Sequence, residues 1–135
     1  MNGQAIIRNK LIEAGGKAII YSLQGKEFTI EISEDGKGFK TKKLPPPDKY
    51  HYGFDVFDII IDLLRENNGK AFKGNGRNHK LGQPKCTSDT VVGAVAYRYM
   101  GKKEGESIFD PVFVLAAILD WAELCYNKRG YIELR

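Results

Sequence analysis

Residues 107–130, SIFDPVFVLAAILDWAELCYNKRG, decide how the rest of the chain must be arranged. Asp110 followed by Pro111 reads as a helix N-cap and first helical residue: an acceptor side chain for the free N–H groups, then a residue that needs no donor. From Val112 to Tyr126 the residues are apolar except for Asp120 and Glu123. A helix that is apolar nearly all round is a buried helix. Lys128 and Arg129 suit the negative end of the helix dipole, and Gly130 suits a left-handed stop. The stretch therefore predicts one long helix, from Pro111 to just before Gly130, as the central core element.

Around it, 135 residues are enough for one domain with a core of its own. The expected architecture is α+β over residues 1–135. A short helix at Gln4–Ala14 is closed by Gly15-Gly16. An antiparallel meander follows, with strands at Lys17–Leu23, Glu27–Ile32 and Phe39–Lys43. Phe28, Ile30 and Ile32 alternate with Thr29 and Glu31, the signature of a half-buried strand. Leu44-Pro45-Pro46-Pro47-Asp48 admits neither helix nor central strand, and marks a sub-boundary at 44–48. Lys49 to Gly53 reads as an aromatic loop in which Tyr50, His51 and Tyr52 could stack on bases.

Phe54–Asn67 reads as a strongly amphipathic second helix. Asp55, Asp58, Asp62 and Glu66 form an acidic stripe on it, best explained as its solvent-facing side. A third helix is expected from Ser88 or Asp89 to about Met100. Tyr131–Leu134 reads as a short terminal strand pairing with the earlier sheet.

Charge is unevenly distributed. The chain carries +4, of which residues 67–87 alone supply +5, leaving −1 for everything else. This segment lacks any periodic apolar pattern and holds five glycines or prolines, so it reads as a long loop between the second and third helices. Within it, Lys73-Gly74-Asn75-Gly76-Arg77-Asn78-His79-Lys80 combines glycines, which let backbone N–H groups approach an oxyanion, with cationic side chains. No Gly-Lys-Ser/Thr closes the stretch, so it is not a P-loop. His79 stands where a third glycine would complete a dinucleotide fingerprint. Spread positive charge suits a phosphodiester backbone better than a free nucleotide.

The leading expectation is a nucleic-acid-binding module. Lys70, Lys73, Arg77, Asn78, His79 and Lys80 would contact it, with Lys40 and Lys42, beside Lys43, as a second patch. A protein-interaction or regulatory subunit, whose loop orders on a partner, is the alternative from another class. A small metal-dependent hydrolase using His79 and the aspartates ranks third.

No catalytic residue, metal ligand set or cofactor is assigned. The two histidines and two cysteines lack zinc spacing. A Cys86–His79 nucleophile pair is weakly motivated, because Cys86 stands alone beside Lys85. The longest apolar run, Val112–Leu119, is far short of the roughly 18 residues of a membrane span. Without an export signature the expectation is a cytoplasmic protein with free thiols. Helices 54–67 and 89–100 have the order of a helix-turn-helix pair, but their connection is too long for one.

Overall fold

A computed structural model describes residues 2–44 and 52–135. The elements run α1 (Gly3–Glu13), β1 (Lys17–Tyr21), β2 (Glu27–Ile32), β3 (Phe39–Lys40), α2 (Val56–Glu66), β4 (Lys70–Phe72), α3 (Val91–Ala94) continuing into a π-helical turn (Val95–Tyr99), α4 (Val112–Trp121), β5 (Cys125–Asn127) and β6 (Tyr131–Leu134). The fold is thus α+β, with two antiparallel three-stranded sheets ordered β1-β2-β3 and β4-β6-β5. Helix α4 contacts β1 of the first sheet and β5 of the second, while α2 contacts α1, α3, the π turn, β4 and β6. The expected proline connector and the Tyr50-His51 pair lie outside the described residues.

The core helix is buried as its composition requires. Val114, Leu115, Ile118 and Leu119 are fully inaccessible, and among its apolar residues only Phe113 opens widely to solvent. Its length, however, is only about half that expected. The N–H of Leu124 donates to the Leu119 carbonyl (3.0 Å) and that of Glu123 to the Asp120 carbonyl (2.9 Å), with Glu123 left-handed at φ 61°. This is a Schellman stop with glutamate where glycine usually sits. Residues 125–134 then form a hairpin, whose turn contains Gly130 at φ 84°. Asp120 Oδ2 accepts the Asn127 N–H (2.8 Å), so the helix end also holds the hairpin that follows. Lys10 donates to the Trp121 carbonyl and stands 4.8 Å from its ring centroid, which adds a cation at the negative helix end.

Other expectations are corrected at their edges. The third strand is only Phe39–Lys40, and Lys42 and Lys43 lie in a turn. Residues 67–87 are not wholly loop, because β4 lies within them. The terminal strand joins β4 and β5, not the earlier sheet. The third helix splits into a short α turn and a π turn, in which the Met100 N–H reaches back to the Val95 carbonyl.

The acidic stripe of α2 is not simply a solvated face. Asp58 Oδ1 accepts the N–H of Gly3 (2.7 Å) and Oδ2 the amide of Gln4 (2.8 Å), so it caps the N-terminus of α1. Glu66 forms a two-armed pair with Arg98. Asp55 accepts the Tyr99 hydroxyl (2.9 Å), while Tyr99 Oη accepts the Gly53 N–H (2.7 Å). Side chains three, eight and eleven apart along one acidic stripe thus each anchor a different element.

Glu123→Gly should stabilise the protein by about 1 kcal/mol, because glycine removes the left-handed strain and the glutamate side chain is exposed. A urea titration reads this directly. Burial first, and then the Asp55 carboxylate, push the Tyr99 hydroxyl from 10.0 to about 12, against a partial lowering by the Gly53 N–H. The folded state therefore holds this proton more tightly than the unfolded chain. The associated stability is complete below pH 10 and declines as pH rises from 10 toward 12. Stability measured across that range should fall less steeply in Tyr99→Phe than in wild type.

Candidate nucleic-acid interface

The basic segment begins as a strand. Lys70, Ala71 and Phe72 pair with Glu133, Ile132 and Tyr131, which tucks Ala71 inward and turns Lys70 and Phe72 outward. Beyond Phe72 the chain is held by its own hydrogen bonds. The N–H of Lys73 donates to the Gly130 carbonyl (2.9 Å), and the Lys73 carbonyl accepts from Val92 (3.0 Å). The N–H of Asn75 donates to the Lys85 carbonyl, and Asn75 Oδ1 accepts the N–H groups of Arg77 and Asn78 (both 3.1 Å). Gln83 Oε1 accepts from the Lys80 N–H, and Leu81 exchanges backbone bonds with Glu106 and Gly105. Leu81 and Cys86 are buried and fix the loop to the body.

The glycines serve packing. A Cβ at Gly74 would lie 2.7 Å from the Lys85 carbonyl oxygen, and one at Gly76 2.8 Å from a Val92 methyl. Gly76 does present its N–H to an oxyanion, but that oxyanion is Asp110 Oδ2 (3.0 Å), whose other oxygen accepts from Val112 at the start of α4 (3.0 Å). Asp110 therefore joins the basic loop to the core helix.

The cationic side chains remain outside. Arg77, Lys80 and Lys85 are exposed, and none lies within ion-pair distance of a carboxylate among the described residues. Asn78 is exposed, and His79 is partly covered. Lys73 is half-buried, and desolvation lowers its ammonium from the ordinary value. Lys70 lies over the Tyr131 ring, 4.2 Å from its centroid. Acidic side chains come close at one edge: Glu104 packs against Gly82. Lys40 and Lys42 are elsewhere, on and after β3 of the first sheet, and Lys40 is bound to Glu31 (3.3 Å). The structure thus gathers Lys70, Lys73, Arg77, Asn78, His79 and Lys80 on one strand-loop unit and leaves the Lys40–Lys42 patch on another sheet.

Sequence reasoning missed the surface adjoining this loop. The outer face of the second sheet carries Phe72 and Lys70 from β4, Tyr131 and Glu133 from β6, and Tyr126 from β5. Phe72 is 71% exposed and Tyr126 40%. Lys128 and Arg135 lie over the Tyr126 ring, at 5.4 and 4.3 Å from its centroid. Phe72 also walls a cleft of about 440 Å³ shared with Asn75, Lys85, Thr87, Asp89, Thr90 and Gly130. The alternation in Tyr131-Ile132-Glu133-Leu134 was a legible signal, but Lys70–Phe72 is too short to show one.

Cys86 and Cys125 are both fully buried and free. Burial, then Asp110, raises the Cys86 thiol; burial, then Asp120, raises that of Cys125 to about 12, with Arg135 opposing. Both thiols are held protonated, which disfavours a nucleophilic role. Among the described residues no three His, Cys, Asp or Glu side chains converge as a metal site would need, and no helix is long and apolar enough to cross a membrane.

Asp110→Ala should leave Gly76 and Val112 without their acceptor and lower stability by about 1–3 kcal/mol. Amide exchange at both positions should accelerate, and the Cys86 thiol should titrate at lower pH, since one of its two raising causes is gone. Comparison with models of known protein families, with characterised proteins and with solved structures finds no match, so the functional reading rests on this geometry alone.

Proposed function

We propose that this protein is a nucleic-acid-binding module that holds the phosphate backbone through its basic loop. The observation that carries the reading is the combination of a loop held by hydrogen bonds within the chain and a row of exposed cations, Arg77, Lys80 and Lys85, without carboxylate partners among the described residues. Such a loop needs no ordering on binding, and its cations need not break an ion pair to meet a phosphate. Lys70 on β4 and Lys73 just after it extend the row, and Asn78 and His79 add hydrogen-bonding groups between the cations. Desolvation lowers the Lys73 ammonium from its ordinary value, and a nearby phosphate would favour its charged form. With the Gly76 N–H occupied by Asp110, recognition falls to side chains spread along the loop and the strand before it, which favours a polymer over a single phosphate group.

The test is fluorescence anisotropy of labelled DNA and RNA, single-stranded and duplex, over a range of salt. Wild type should bind with a log–log salt slope of several units. Arg77→Ala/Lys80→Ala/Lys85→Ala should weaken binding and reduce that slope by about one per phosphate contact removed. Lys40→Ala/Lys42→Ala measures the second patch separately. Absence of binding even at low salt would overturn the proposal.

A further inference from the structure

We infer that the outer face of the β4-β6-β5 sheet is a base-stacking platform, and that the strand it takes is single-stranded nucleic acid. The inference rests on the nucleic-acid reading of the adjoining loop and specifies its ligand.

Three aromatic side chains share this face. Phe72 and Tyr131 are directly opposed across β4 and β6, and Tyr126 stands on β5 opposite Glu133. An aromatic at the edge of a small sheet is ordinarily covered by another element, yet Phe72 is 71% exposed, more than any other large hydrophobic residue among those described. Cations lie over the neighbouring rings. Lys70 lies above Tyr131, and Lys128 and Arg135 above Tyr126; Glu133 on the face and Asp89 in the cleft beside Phe72 are acidic, and Arg135 also pairs with Asp120 (3.5 Å). Rings interleaved with positive charge, with Phe72 open and Tyr126 and Tyr131 partly covered by cations, are complementary to a ligand that alternates flat apolar surfaces with phosphates.

Duplex fits this arrangement poorly, because its bases are stacked on each other and paired. A single strand can turn its bases onto the rings and its phosphates onto the lysines. The cleft beside Phe72 has room for one base. Asn75 there has no partner for its side-chain amide N–H groups among the described residues, only its oxygen being engaged by the loop, and Lys85 closes the rim. Phe72 thus stands where the sheet face and the loop cations meet, and one strand could run from Tyr126 and Tyr131 across Phe72 to Lys85 and Arg77.

The probes are a fluorescein-labelled oligodeoxythymidylate, its RNA counterpart, and the oligo(dA)·oligo(dT) duplex, titrated at fixed salt. Wild type should prefer the single strands. Phe72→Ala should weaken single-strand binding about ten-fold and leave duplex binding unchanged. Phe72→Trp should retain the preference, with indole fluorescence quenched on adding oligodeoxythymidylate above any change in the Trp121 background. Arg77→Ala/Lys80→Ala should instead weaken every probe. Because Phe72 is exposed, its removal should not unfold the protein, and an unchanged thermal melt verifies this.

If wild type binds duplex and single strands alike and Phe72→Ala changes neither, the platform is refuted while the loop reading survives. If no probe binds, both fall together. If Phe72→Ala alters sedimentation of the free protein but not binding, the face is a contact between two copies of the chain and the inference is overturned.

Discussion

Everything in this fold is subordinate to the burial of α4. A helix of Val, Leu, Ala and Ile with no polar stripe must be covered over most of its circumference, and no single sheet or helix can do this. The chain answers by building two sheets, one from the N-terminal meander and one from the strands after α2 and α4, and by bringing both against that helix. The second sheet closes only because α4 stops at Glu123. Had it run to Gly130, residues 125–127 would have had no strand to make, and β6 would have lost a partner.

Charge then sets how these layers are joined. Asp58 caps α1, Asp55 receives Tyr99, Glu66 grips Arg98, Asp120 receives the Asn127 amide, and Asp110 bridges the loop and α4. Each is a carboxylate facing backbone or side-chain donors across an element boundary. Such contacts stabilise modestly in number but strongly in direction, because a buried donor left without its acceptor is costly. Several of the chain's acidic side chains are thereby engaged by its own donors. The cations of residues 70–85 stay outside, and the surface is more basic at that face than a modest net charge implies.

The candidate interface follows from the same arrangement. Residues 70–72 are distant in sequence from 125–135, and only their pairing in one sheet creates a face with Phe72, Tyr126 and Tyr131 together. The loop leaves that sheet directly, with Lys73 bonded to Gly130, so its cations and the aromatic face are two parts of one surface. Its glycines permit close packing on Val92, which is a structural use of residues that local composition reads equally well as a phosphate cradle.

Where local chemistry was decisive, the sequence alone determined the outcome. The α1 stop at Gly15-Gly16, the Glu27–Ile32 strand, the amphipathic α2, the buried character of 112–119 and the cationic segment 70–85 are all legible, because each depends on periodicity, a glycine or a local count of charge. The stop at Glu123 is not legible. Glutamate carries no terminating signal, and the left-handed turn is stabilised by Asp120 holding Asn127 and by the pairing of β5 with β6. Nor does a stripe of aspartates disclose whether it faces water or caps another helix, since both require the same residues at the same spacing. Tertiary structure decided these points for one physical reason: backbone donors and short strands have no preference until a partner from elsewhere in the chain is brought within hydrogen-bonding distance.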